Sequence, residues 1–401
     1  MHRLVGLLLL LFSVGSASAC NPDSAQKASR WEGQLDSLPS GMVVVRNDGR
    51  GVWPDSGGWT LHEELRIGSL DEEGPQSFAR IASLAVDHEG RVWVLEGQAA
   101  ELRVFDATGA HVRTVGRKGA GPGEFRQPLR VDLGPEGQLW VVDPLNARLS
   151  VFDSAGTYLE GLRTPGGFVL FPWKGGFDER GAYYSPIQLP PVNSRPVFGL
   201  GRFDRSFSPL DTVHLPTDPV TRASFATVSN NGQSSMTAGV PFQGGLRWQL
   251  SQSGTVWALI TDQYRLIEFT TTGDTLHVST KQHEPLAVSS EERAKAIADL
   301  KWFTSQGGQI DESRIPPTRP LTTDFFLDDA GFVWVATGRG ASMDEQPFDV
   351  FNPTGQFLGS VVAPFRLLLS PQPIVRDGVL YGVVSDSLDV PYVVRARIRK
   401  P

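Results

Sequence analysis

Three cations stand at equivalent places in this chain. Arg130, Lys174 and Arg247 each precede a turn glycine (Gly137, Gly181 and Gly254) by seven residues. Two acids share the pattern: Asp132 lies five residues before Gly137, and Asp324 lies seven before Gly331. Guanidinium and ammonium groups that converge on one spot favour a carboxylate, a phosphate or an acidic sugar. The same cations can instead pair with Asp132 and Asp324 and tie neighbouring elements together. Alanine at Arg130 and Arg247 separates these readings. Lost binding with intact folding supports a ligand site; a fallen melting temperature supports structural ties.

The elements that must position these side chains are short strands in a repeat. Phe78, Gly90, Trp93, Phe105 and Gly109 recur 47 residues later as Phe125, Gly137, Trp140, Phe152 and Gly156. A fixed period of that length with strands inside it marks a repeat architecture. One rule, glycine followed by an aromatic three residues on, finds Gly90/Trp93, Gly137/Trp140, Gly181/Tyr184, Gly254/Trp257, Gly331/Trp334 and Gly378/Tyr381. A second rule, Phe four residues before Gly, finds Phe105/Gly109, Phe152/Gly156, Phe269/Gly273 and Phe351/Gly355. Six units of about four strands, a to d, follow, with the glycines in the a–b and c–d turns. Those glycines and aromatics are read as turn and packing residues, without a functional role. A radial array of four-stranded antiparallel sheets is a β-propeller. The sixth unit ends without an outer strand, and Leu61–Ile67 is expected to supply it. The fold class is therefore all-β: a six-bladed propeller over 41–401, closed by an N-terminal strand, with one inserted helix at about 289–303.

The corner Gly116–Phe125, GRKGAGPGEF, with the strands after it, resembles the NHL-repeat family. More closely, the chain from about 42 to 400 resembles six-bladed propeller lipoproteins of Gram-negative bacteria. The resemblance implies an envelope protein, in a group whose fold serves many tasks. NHL-like propellers also include lactonases with a metal in the channel and amidating lyases that use several histidines. Here His62, His111, His214 and His277 fall in predicted outermost strands, His88 in an a–b turn and His283 in a loop. A central metal site built on two or three histidines is therefore not expected. Glu72-Glu73-Gly74-Pro75 is superficially similar to a lactonase metal motif but stands in a corner. Asp87, Asp178 and Asp328, three residues before a turn glycine, read as turn openers. No cofactor is expected, and a divalent ion such as calcium stays an open alternative.

Residues 1–19 combine Arg3, the apolar stretch Leu4–Val14 and small residues at Ala17, Ser18 and Ala19, and so read as a signal peptide. The only cysteine of the chain, Cys20, follows directly. The segment resembles a bacterial lipobox, with Ala17 where leucine is usual, and implies lipidation of Cys20. The alternative is plain cleavage to a soluble periplasmic protein. Acyl chains would make the membrane a partner, and Asn21 leans towards the outer membrane by resemblance to sorting signals. Residues 20–40 are polar and read as the lipidated N-terminus and linker. A net charge of −7 disfavours nucleic acid as a partner.

Length varies between units on one side only. Longer b–c loops in units three and five, and the insertions 216–246 and 282–320 between units, all belong to the end where b–c and d–a connections emerge. Variable loops on a rigid scaffold commonly carry binding. Within the second insertion, Ser289 and Glu292 form a capping-box pattern, and Ala294, Ile297, Ala298 and Trp302 recur at helical spacing. That helix is expected to lie as a lid on the same end, towards which Arg130, Lys174 and Arg247 also point. Two functional classes remain. The favoured one is a surface or periplasmic binding or scaffolding lipoprotein, its channel taking an anionic small molecule, a glycan or a peptide, or the protein docking another envelope protein. The other is a hydrolase or lyase using Asp132 or Asp324 with a divalent ion.

Overall fold

The computed structural model describes residues 31–401 except 55–56, 71–72, 164–175, 193–194, 214, 230–233 and 339–343. The signal peptide and Cys20 lie outside the described residues, as does Lys174. Six antiparallel sheets are arranged as the blades of a propeller. Blade one is Ile81–Val86, Val92–Glu96, Glu101–Phe105 and His111–Val115. Blade two is Arg130–Leu133, Leu139–Asp143, Arg148–Phe152 and Tyr158–Leu162. The inner strands of blades three, four and five are Gly176–Phe177, Leu246–Leu250 and Thr322–Leu327. In blade six Leu367–Leu368 and Ile374–Arg376 share that place. Six apolar clusters hold the ring, one at each junction of consecutive blades. Trp93, Leu95 and Val104 of blade one, for example, pack on Val131, Val141 and Phe152 of blade two.

The a–b turns show why the glycine and the aromatic recur. In blade one, Asp87 Oδ1 accepts the N–H groups of Glu89 and Arg91, each at 3.0 Å, while Oδ2 accepts Trp93 Nε1–H at 2.8 Å. Asp328 holds Ala330, Phe332 and Trp334 in the same way. Asp178 does so with Arg180, Ala182 and the Tyr184 hydroxyl. One carboxylate thus closes the turn and pins the aromatic six residues on. Gly90 completes the turn at φ +74, which side chains rarely adopt. The Gly-rich corner is fixed by Asp143, which accepts the N–H groups of Arg126 and Gln127 at 2.8 and 2.9 Å. Glu96 does the same for Ala79 and Arg80.

Strand Thr60–Ile67 pairs antiparallel with Pro391–Arg399 and completes blade six, as expected from its sequence. Closure by both chain ends leaves no free seam in the ring. The N-terminal segment does more than that. Gly33–Ser37, part of the stretch read as a linker, is a strand, and it pairs with Val43–Asn47. This hairpin extends blade four, with Val43–Asn47 parallel to Thr275–Lys281. Asn47 is the rivet: its Nδ2 donates to Ser279 Oγ, Thr280 O and Gly355 O at 3.0–3.1 Å, and its Oδ1 accepts from Phe357 N at 2.7 Å. The chain then runs along blade five, where Trp53 N donates to Leu358 O, before it reaches blade six.

The two long insertions pack on each other. The first forms the hairpin Ser224–Ser229 and Ser234–Gly239, and the second carries helices α1 (Ser290–Asp299) and α2 (Lys301–Thr304). Phe225, Ala238 and Val240 of the first bury against Phe303 and Ile315 of the second. The capping box at Ser289 and Glu292 is present. The buried helix face differs from the expected one: Trp302 is 47% exposed and Phe303 is buried. The helix breaks at Leu300, which lies at φ −85, ψ 10, so the phase of the apolar residues shifts there. Ile297, Leu300 and Phe303 make the packed face.

Candidate functional site

The inner strands wall a central channel that contains a cavity of about 730 Å³. Its rim is formed by the a–b turns of all six blades, including His88, Pro135, Glu179, Gln252, Asp329 and Asp377. At the other end its wall is made by residues of blades one, two and six, such as Ser83, Arg130 and Pro371. Among the described residues, the lining therefore reaches the face of the short turns, and the long connections lie on the opposite face. The sequence expectation placed the cations towards the variable-loop end; Arg130 stands at the end of the cavity away from the turns, and the described lining extends from there to the turn rim. Loop length reports where the fold tolerates insertion; it does not report where the channel is wide.

Arg130 and Asp132 stand two apart on one strand, so their side chains leave the same face. Arg130 Nε donates to Asp132 Oδ1 at 2.6 Å. The Tyr183 hydroxyl, from blade three, donates to Asp132 Oδ2 at 3.3 Å. Asp132 is 6% exposed. Burial pushes its pKa above the ordinary carboxylate value, and the charge and hydrogen bonds of Arg130 and the Tyr183 bond offset part of that rise. Burial and the Asp132 carboxylate push the Tyr183 hydroxyl the same way. Beneath the pair lies Gly176, at φ +137. A Cβ there would stand 2.9 Å from Asp132 Oδ1 and 3.1 Å from a terminal nitrogen of Arg130. Glycine is required because the ion pair leans across blade three.

The other predicted residues sit elsewhere. Arg247 and Asp324 face each other across the junction of blades four and five at 3.9 Å. Neither belongs to the cavity wall, and the Arg247 side chain is 46% exposed. The structure therefore brings Arg130 to Asp132 and Arg247 to Asp324. Sequence reasoning passed over Gln249 as a site residue. It lines the cavity from blade four, is 7% exposed, and its Oε1 is buried without a hydrogen-bond partner. A signal for it existed: Gln249 stands five residues before Gly254, as Asp132 does before Gly137.

Two other groups of polar side chains, around Asp349 and Arg222, are structural. Asp349 accepts from the Tyr264 hydroxyl and from Ser360 Oγ, both at 2.5 Å, and pairs with Lys281 at 3.2 Å. That knot ties blades four and five outside the cavity wall. Arg222 bridges Asp218 and Asp262 and anchors the first insertion on blade four. His62, His111 and His277 lie in outer strands, while His88 is at the cavity rim, 2.6 Å from an Arg376 nitrogen. Among the described residues, no three His, Cys, Asp or Glu are grouped to hold a metal ion. No helix among them is long and apolar enough to cross a membrane.

Residues 78–169 match the protein family described as a 6-bladed beta-propeller. No curated protein matches the chain. Solved structures that resemble it include a protein from Bacteroides fragilis described as exported. It is 12% identical, with 89% of this chain and 100% of that one covered and a TM-score of 0.48. A member of the duf4221 family from Bacteroides vulgatus is 13% identical, with 86% and 100% covered and a TM-score of 0.46. A virginiamycin B lyase from Staphylococcus aureus is 9% identical, with 84% and 99% covered and a TM-score of 0.42.

Proposed function

We propose that this chain is a non-catalytic binding protein of the cell envelope, whose channel takes a small polar molecule through the mouth on the turn face. The observation that carries the reading is the cavity of about 730 Å³ with buried polar side chains on its wall. Its size falls within the roughly 300–1,000 Å³ of ordinary small-molecule sites. The cation set had suggested an anionic ligand. Arg130 is engaged by Asp132, however, and Arg247 stands outside the cavity wall, so a glycan or another hydrogen-bonding molecule suits the wall better.

The envelope location is supported by the lipobox-like segment ending at Cys20, with the outer membrane favoured by Asn21. The chain's entry into the fold adds to this. Gly33 pairs with Asn47, and Asn47 pairs with Lys281 at the loop-face end of an outer strand. A tether from Cys20 would therefore reach the propeller on its loop face. The cavity mouth, on the opposite face, would be turned away from the membrane.

A thermal-shift screen of the mature protein against sugars, carboxylates, phosphates, amino acids and short peptides tests the reading. His88 and Gln252 are exposed rim residues on opposite blades. His88→Trp with Gln252→Trp should abolish binding of a channel ligand and leave the fold intact. Binding that survives this block sinks the channel as the site. Elemental analysis after dialysis addresses the hydrolase or lyase alternative: a retained stoichiometric divalent ion would favour that class.

A further inference from the structure

We infer that His277 is an acid-sensitive latch: its ring seals the seam between blade four, blade five and the N-terminal hairpin, and a proton on it frees the hairpin 33–47. His277 stands on the outer strand of blade four and is 5% exposed. Neither ring nitrogen has a hydrogen-bond partner among the described residues. A neutral imidazole carries one N–H; an imidazolium carries two and a charge. Sealed from water and without an acceptor, the charged form is strongly disfavoured in this place. Burial accordingly holds the His277 pKa below the ordinary histidine value. The Thr354 carbonyl, beside the ring but outside hydrogen-bond geometry, offsets part of that shift.

The groups around the ring offer no free carboxylate. From blade four, Trp257 meets it edge to face with centroids 5.5 Å apart, and Glu268 stands opposite it on the neighbouring strand. Glu268 accepts from Thr255 Oγ1 at 2.7 Å, and burial pushes it towards the neutral acid. Lys281, four residues on from His277, is paired with Asp349 of blade five at 3.2 Å. Blade five also contributes the c–d turn 352–356, whose Asn, Pro, Thr, Gly and Gln side chains carry no charge. Gly355 of that turn packs so closely on the ring that a Cβ there would collide with it. From the hairpin, Val43 lies opposite His277, and Arg46 is exposed and paired with Asp36. The same turn holds the hairpin: Gly355 O accepts from Asn47 Nδ2 at 3.1 Å and from Ser279 Oγ at 2.7 Å. A charged ring that moves out towards water displaces the turn, and the bonds of Asn47 go with it. Residues 33–47, once free and fully extended, span at most about 50 Å. Their release would lengthen a tether from Cys20 by up to that span. This consequence rests on the anchoring proposed above; the latch itself does not.

Because the folded pKa is depressed, the stability that neutral His277 confers is present above the ordinary histidine value and is lost as pH falls below it. Glu268, whose folded pKa is raised, acts in the opposite direction. The test is hydrogen exchange of the mature protein at about pH 7.5 and 5.5, with protection corrected for the intrinsic exchange rate. One proton taken up on opening, at an ordinary pKa of about 6.5, raises the opening constant roughly tenfold between these values. Protection in 33–47 and 352–357 should therefore fall roughly tenfold, while 139–152 of blade two stays unchanged. His277→Phe keeps a ring in the seam and should abolish the fall; Glu268→Gln should preserve it. If His277→Phe does not fold, imidazole NMR of the wild type decides instead, its signals assigned by replacing the other histidines one at a time. His277 should then stay neutral at about pH 5.5 for as long as the hairpin is closed. Equal protection at the two pH values overturns the inference, as does a fall that persists in His277→Phe. An equal fall in blade two, which would mean global acid unfolding, overturns it too, as does a His277 ring that titrates at about 6.5 or higher with the hairpin still protected.

Discussion

Among the described residues, replacing Arg130 by alanine would leave Asp132 buried with the Tyr183 hydroxyl, at 3.3 Å, as its one remaining side-chain donor. Breaking a buried pair by removing one partner costs about 3–5 kcal/mol. The Arg130 side chain is 24% exposed, so solvent already screens part of the interaction, and we expect about 2–3 kcal/mol near neutral pH. The sign of the pH dependence follows from the direction of the Asp132 shift. Its folded pKa is raised by burial, so its contribution to stability is intact below the free carboxylate value and is lost as pH rises through the folded pKa. Arg130 limits that loss in the wild type. Without it the folded pKa rises further, and the loss continues to a higher pH. Urea denaturation of wild type and Arg130→Ala should therefore give curves that nearly coincide at about pH 4 and separate by about 2–3 kcal/mol at about pH 7.5. Adding Asp132→Asn to Arg130→Ala removes the buried charge and should restore most of the difference. A deficit equal at both pH values would refute the reasoning, as would a double variant no more stable than Arg130→Ala. Either result would mean that Asp132 is solvated and that Arg130 is held by something else.

Arg247→Ala should behave oppositely. Its partner Asp324 is 3.9 Å away and its side chain is 46% exposed, so the change in stability should stay within about 0.5 kcal/mol at any pH, as urea denaturation would show. Phe303→Ala should empty the core shared by the two insertions at a cost of about 3–5 kcal/mol. The loss should be local: hydrogen exchange should quicken in 224–239 and 290–304, with blades one and two unchanged. Asn47→Ala should cost about 1–3 kcal/mol, because it strands Phe357 N at the junction of the N-terminal hairpin with blades four and five, while Gly355 O keeps its bond from Ser279 Oγ at 2.7 Å. Its thermal transition should also show whether the hairpin 33–47 detaches before the ring opens.

The ring was legible because its signals are local. A turn carboxylate, a glycine at positive φ and an aromatic six residues after the carboxylate are all fixed within one a–b hairpin, and the same atoms recur in blades one, three and five. The closing strand Thr60–Ile67 was legible by subtraction, since a sixth blade without an outer strand needs one. The hairpin 33–47 was not. Gly33–Ser37 has little apolar pattern to fix a partner, and it pairs with Val43–Asn47 by backbone bonds at the outer edge of the extended sheet, which any sequence can make. Phe303 was missed because helical phase was extended through Leu300, where the helix breaks.

The cavity shows a different limit. Strand parity put Arg130 and Asp132 on one face of their strand, and Arg130 Nε there donates to Asp132 Oδ1. Reading the three cations as one convergent set used parity without depth. Arg130 contributes to the cavity wall, whereas Arg247, at the same register two blades on, is 46% exposed and outside it. Register along a strand says which way a side chain points. It does not say how wide the channel is at that height, because the width depends on what the neighbouring blades contribute. Here Gly176 is small enough for the Arg130–Asp132 pair to lean across blade three, with the Arg130 guanidinium engaged by Asp132. Among the described cavity-lining residues, the one with a buried polar atom left unpartnered is the uncharged Gln249, which charge counting does not weigh.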